Sequence, residues 1–132
     1  ALYNDSAKNE NIANIVIECI CECCPDATLF TLPESKLAKK AKSKGIIVCR
    51  EAFLDRGYMD NGQLQQRGKK GALITNSYSI YKRLKNLLFN GRIQTINNNW
   101  IDINADTYCL HGDHPNIVEN LKDVLSMYNK II

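Results

Sequence analysis

The chain has 132 residues, 45% of them hydrophobic, which suits one modest core and is too short for two ordinary domains. Its net charge of +3, from 17 basic and 14 acidic residues, falls well below the single-sign excess of a dedicated nucleic-acid binder. No apolar run approaches the roughly 18 residues of a membrane span, and the first residues lack the regions of a signal peptide. A soluble, cytoplasmic protein with no nucleic-acid or membrane partner is expected.

The first predicted element is a helix over residues 10–24. At about 100° per residue it gathers Ile12, Ile15, Val16, Cys19, Ile20 and Cys23 on one face, while Cys21 turns towards Glu18 and Asn14. Sulfurs that diverge in this way do not converge on one tetrahedral zinc, and the C-x-C-x-C-C spacing is not that of a standard zinc module. Free thiols are expected. Ala27 to Thr31 reads as a short strand. Pro33 opens a second helix lined by Leu37, Ala38 and Ala41, which Gly45 closes. Its Lys39, Lys40, Lys42 and Lys44 have no interleaved aromatics to stack on bases, so they read as a solvated face. Ile46 to Cys49 is an unbroken apolar stretch of the kind found in strands buried on both faces.

From Arg50 to about Asn76 the periodicity disappears, and a loop of that length is usually functional or disordered. A third helix follows, capped by Ser77 or Ser79, with Ile80, Leu84, Leu87 and Leu88 inward and Gly91 past its end. Ile93 to Ile96 and Trp100 to Ile103 flank three asparagines and predict a hairpin. Thr107 to Leu110 reads as a strand, and the last helix is lined by Ile117, Val118, Leu121, Val124 and Leu125. The alternation predicts an α/β fold with parallel strands and a small hairpin insertion. In such folds reactive groups collect beyond the C-terminal ends of strands.

Two segments occupy that address. The first, Arg50 to Gly62 followed by residues up to Arg67, brings together Glu51, Asp55, Arg56, Tyr58 and Arg67. Partial burial can shift such carboxylates, and arginines can grip carboxylate or phosphate in a bidentate way. Spacing leaves a second reading open, in which Glu51, Asp55 and Arg56 form an ion-pair network that pins the loop. Gly62 to Gly68 with Lys69 and Lys70 is not a Walker motif, because the glycines are one residue too far apart and Ala72 follows the lysines. The second segment runs from Ala105 to Pro115. A His with a nearby carboxylate, here His111 and Asp113, is the minimal pairing for proton transfer or metal binding. Asp113 ahead of Pro115 also reads as a helix cap, and His111 or His114 as structural histidines.

These segments and the first residues carry a resemblance to the LamB/YcsF family. Its members have K-P-H-G-A-L-Y-N, then E-x-F-A-D-R-x-Y with D-G-x-L and an Arg, then A-D-T-x-C-x-H-G-D-x-P. This chain has Ala1 to Asn4, then Glu51 to Tyr58 with Gly62, Leu64 and Arg67, then Ala105 to Pro115, in that order. It departs at Leu54, where Ala is usual, at Gly68 and Lys69, and at His114, often Thr. The family's acidic N-terminal motif and the His before Ala-Leu-Tyr-Asn are not in these residues, so residues 1–132 correspond to the C-terminal half of one family domain, as in a truncated product or part of a longer protein.

The resemblance implies part of a seven-stranded β/α barrel similar to those of carbohydrate deacetylases. It implies opening of the lactam of 5-oxoproline to glutamate with ATP as co-substrate, alongside partner subunits B and C. A lactam amide is a poor electrophile, and phosphorylating its oxygen would turn that oxygen into a group that water can displace. Such a site needs cations for phosphate and carboxylate and a base for water. Carried over by position, Arg56 and Arg67, with Tyr58, are the binding candidates, and Glu51 or Asp55 is the base. His111 with Asp113 would polarise the substrate or hold a divalent metal. Two other readings are a metal-dependent hydrolase of the deacetylase type, with metal on His111 and Asp113, and a catalytically inactive interaction piece. An open half-barrel would also expose edges and associate with itself.

Overall fold

A computed structural model describes residues 2–113 and 116–130. The chain divides into two compact units, one of residues 1–52 and 105–107 and the other of 53–104 and 108–132. The elements in chain order are α1 (Leu2–Lys8), α2 (Glu10–Cys23), β1 (Leu29–Thr31), α3 (Lys36–Ser43), β2 (Val48–Phe53), α4 (Ser77–Asn90), β3 (Arg92–Gln94), β4 (Trp100–Asp102), β5 (Thr107–Cys109) and α5 (Ile117–Tyr128). The order β1-β2-β5 makes one sheet and β3-β4 another.

In the first unit β1 and β2 pair in parallel, with Leu29 opposite Val48 and Thr31 opposite Arg50. Two helix faces cover them. Ala13 and Ile17 of α2 meet Leu37 and Ala41 of α3 and Ile46, with Val16, Ile20, Leu29 and Val48 at the margin. Pro33 does not open α3. Ser35 does, its Oγ accepting the Ala38 N–H at 3.0 Å, and the chain then leaves the helix through Gly45 at φ +76°.

Three expectations for this unit are corrected. The buried stripe of α2 is 13, 16, 17 and 20, rotated from the predicted face, so Ile15 is 60% exposed and all four helix-end cysteines lie at the surface. Small Ala13 is the reason, because it lets α2 approach α3 closely where a larger residue would hold it off. Ile47 at 67% and Phe30 at 51% exposure show that neither the Ile46–Cys49 stretch nor β1 is buried on both faces. Finally, β2 does not stop at Cys49. Arg50 continues it because Asp106 accepts both the Arg50 backbone N–H and its Nε–H at 2.8 Å, while the Arg50 carbonyl accepts from Asp106 N.

In the second unit α4 packs on α5 and on β3. Asn76, rather than either serine, caps α4 by accepting the Ser79 N–H at 3.0 Å, and Gly91 ends it in the left-handed conformation. Ile80 and Leu87 are buried as predicted, whereas Leu88 is 40% exposed. The hairpin forms with Ile93 opposite Ile101, and Asn98 takes the left-handed turn position at φ +64°. On α5 the inward residues are Val124 and Asn120, whose amide donates to the Thr75 carbonyl at 2.9 Å. Val118, Leu121 and Leu125, predicted as core, form an exposed row instead.

The 54–76 segment is irregular but buried at its start. Cross-links satisfy its backbone: Gly57 N to the Ala72 carbonyl, Ile74 N to that of Asp55, Gln65 N to that of Gly57 and Ile96 N to that of Tyr58.

Candidate functional site

The site stands in the second unit, where β2 and β5 end. Leu54 N–H donates to the Cys109 carbonyl at 2.9 Å, so the residues that follow both strands leave the sheet side by side. Asp55 is 1% exposed and holds His111 at two points. Its Oδ2 accepts the His111 backbone N–H and its Oδ1 lies on His111 Nδ1, each at 2.9 Å. The His111 ring also stacks on Phe53, with centroids 4.9 Å apart and planes 15° apart.

A carboxylate on Nδ1 fixes the tautomer, since only a protonated Nδ1 can donate to it. In the neutral ring the lone pair is then on Nε2. The imidazole side chain is one-quarter exposed, and Asp55 holds its Nδ1 edge. Such an arrangement can take a proton from water and return it to a leaving group.

The expected partner of His111, Asp113, is bonded elsewhere. Arg67 Nη1 donates to Asp113 Oδ2 at 2.8 Å, and both side chains are more than half exposed. That hydrogen bond holds the Asp113 carboxyl below the usual carboxylate range. Asp113 is not the helix cap either, because α5 starts at Ile117 behind Asn116. His114 and Pro115 lie outside the described residues.

Arg56 and Tyr58 have internal tasks rather than open binding faces. Arg56 is 3% exposed and donates from Nε to the Ala72 carbonyl at 3.2 Å and from Nη2 to that of Gln65 at 2.8 Å. Burial, and then the charge of Arg67, lower its pKa from the ordinary guanidinium value. Tyr58 is fully buried, and its hydroxyl oxygen accepts the Phe53 N–H at 2.9 Å, which braces the residue that stacks on His111. Glu51 belongs to the first unit, where Tyr3 of α1 donates to its Oε2 at 2.9 Å. The first motif thus meets the start of the second.

Among the described residues no three His, Cys, Asp or Glu side chains converge as ligands. Asp55 is engaged by His111 and Asp113 by Arg67.

Sequence reading missed Arg83. It sits three residues after Ile80 and four before Leu87, on the inward face of α4, where a charge is the signal that something holds it. It donates to the Arg56 and Gln94 carbonyls and lies 5.8 Å from the Tyr58 ring centroid.

The model of the LamB/YcsF family matches residues 1–130. The chain belongs to that family. It is 41% identical over 119 residues to the A subunit of 5-oxoprolinase from Pyrococcus horikoshii and 39% identical over the same length to that from Pyrococcus abyssi, covering 90% of this chain each time. It spans 47% of those relatives, about half their length. A crystal structure of the lactam utilization protein from Thermus thermophilus superposes with a TM-score of 0.81 at 25% identity, covering 98% of this chain and 52% of that one. The chain shares its α/β fold, a parallel sheet with flanking helices, with that protein. No helix among the described residues is long and apolar enough to cross a membrane.

Proposed function

We propose that this chain supplies the proton-transfer half of a 5-oxoprolinase site, in a complete protein that hydrolyses the lactam of 5-oxoproline to glutamate with cleavage of ATP. The observation that carries the reading is the buried Asp55 clamped onto His111 Nδ1, which leaves Nε2 as a positioned base. In this reading His111 takes a proton from the attacking water, and Asp55 is a positioning residue. That division differs from the sequence expectation, in which Glu51 or Asp55 is itself the base.

Arg67 is the proposed contact for an anion, the substrate carboxylate or a phosphate, and Asp113 orients its guanidinium. Arg56 and Tyr58 support the loop. The relatives are named for one lettered component of a larger enzyme, which motivates partner subunits B and C. Exposed Phe30 and Ile47 in one unit and the row Val118, Leu121 and Leu125 in the other are apolar surfaces that such partners, the rest of a seven-stranded barrel, or self-association would cover.

Glutamate release from 5-oxoproline, measured with the complete protein, the partner subunits and ATP in the cytoplasmic pH range, tests the reading. Release dependent on all components supports it. Its failure under those conditions, with release from an N-acetylated sugar instead, would favour the deacetylase-like alternative.

A further inference from the structure

The second unit also contains a cavity of about 780 Å³ whose walls include none of Asp55, His111, Arg67 or Asp113. It lies between α4, the segment around Gly71 and the β3–β4 hairpin. Its volume is within the range of small-molecule sites. Its chemistry is one-sided: Lys70, Lys82 and Arg83 line it, and among the described residues no carboxylate does. The acidic groups at the hairpin are engaged: Asp60 accepts from Thr95 Oγ1 at 2.5 Å and from the Asn97 and Asn99 amides at 3.0 Å, and Asp102 accepts from Arg92 Nε at 2.9 Å.

Arg83 is the informative member. Two backbone carbonyls fix its guanidinium, and burial pushes its pKa down to about 10, which is the mark of a cation held where water compensates it poorly. Lys70 and Lys82 are exposed, so their ammonium groups are free to swing over a ligand. Ile96 and a half-exposed Trp100 add apolar surface to the lining.

We propose that this cavity binds a small organic phosphate, with the phosphate on Lys70, Lys82 and Arg83 and the carbon skeleton against Trp100. The inference is independent of the lactam reading, since it shares no residue with the His111 site.

Trp100 is the sole tryptophan of the 132-residue chain, so tryptophan fluorescence reports on its surroundings, this cavity and the smaller cleft it shares with Asn90 and Arg92, and substitution of the two lysines distinguishes them. The purified chain is titrated with phenyl phosphate and with inorganic phosphate at constant ionic strength. Both should give saturable changes, phenyl phosphate at the lower concentration because it also covers Trp100. A Lys70→Gln, Lys82→Gln double variant, which leaves the bracing Arg83 in place, should bind at least about tenfold more weakly while keeping its circular dichroism. The absence of a saturable change, an equal response to sodium chloride, unchanged affinity in the double variant, or a response to an acidic peptide but to neither phosphate would overturn the proposal.

Discussion

Replacing Asp55 by Asn changes a single oxygen to nitrogen and tests what holds His111. The carboxylate accepts two hydrogen bonds, from His111 N and from Nδ1, both at 2.9 Å, in a site that is 1% exposed. An amide has one acceptor to offer. If it keeps the backbone N–H, its own NH2 faces Nδ1, and Nδ1 must then accept, which moves the ring proton to Nε2. One charge-assisted bond of about 1.5–3 kcal/mol is exchanged for a neutral one of about 1, so the net loss of stability is about 0.5–2 kcal/mol. The functional loss is larger, because the nitrogen meant to accept a proton now carries one. Turnover of 5-oxoproline by the complete protein should fall at least about 100-fold. Denaturant unfolding reads the first effect, glutamate release the second, and nitrogen chemical shifts of the His111 ring the tautomer that links them. Unchanged turnover together with a proton on Nε2 would refute the reasoning, since the tautomer would have changed without consequence.

Arg67→Ala should cost at least about tenfold in turnover, about 1.4 kcal/mol of transition-state stabilisation, and wild-type kinetics would remove Arg67 from the site. Tyr58→Phe leaves the buried Phe53 N–H without its hydroxyl acceptor and should destabilise by about 1–3 kcal/mol in urea unfolding, whereas an unchanged midpoint would mean that the N–H finds another acceptor. Asp60 is held below the usual carboxylate range by hydrogen bonds from Thr95, Asn97 and Asn99. A lowered carboxyl stabilises the fold above its unfolded value, about 3.9, and the effect is lost as pH falls through the folded value. Asp60→Asn should therefore melt below the wild type at neutral pH, with the gap closing under acid; a gap that is constant with pH would contradict this.

From α2 onward the order of helices and strands was legible because core residues recur with regular spacing, as at Leu37, Ala38 and Ala41 or Ile80 and Leu87, whereas α1 (Leu2–Lys8) was not predicted. Which face of α2 is buried was not, since apolar residues occur nearly all round it and Ala13 wins through close approach to α3. The end of β2 was hidden by charge: Arg50 and Glu51 look like loop residues until their partners Asp106 and Tyr3, distant in sequence, are in place. Both segments could be singled out in the sequence, but not the pairing of their side chains. Asp113, two residues from His111, was the natural local partner, whereas the structure joins His111 to Asp55, 56 residues away, and gives Asp113 to Arg67. Only chain folding at the ends of β2 and β5 decides between those pairings. The exposed α5 row was misread for a related reason, because an apolar face is visible in sequence while its cover is not.

In the proposed reaction His111 Nε2 is the proton acceptor. The most direct test of that role is His111→Gln in the complete protein assembled with its partner subunits and supplied with ATP, followed by coupled glutamate release. A fall of at least about 100-fold in kcat with KM little changed is expected, because the residue acts on the attacking water rather than on ground-state binding. Turnover close to that of the unsubstituted protein would contradict it.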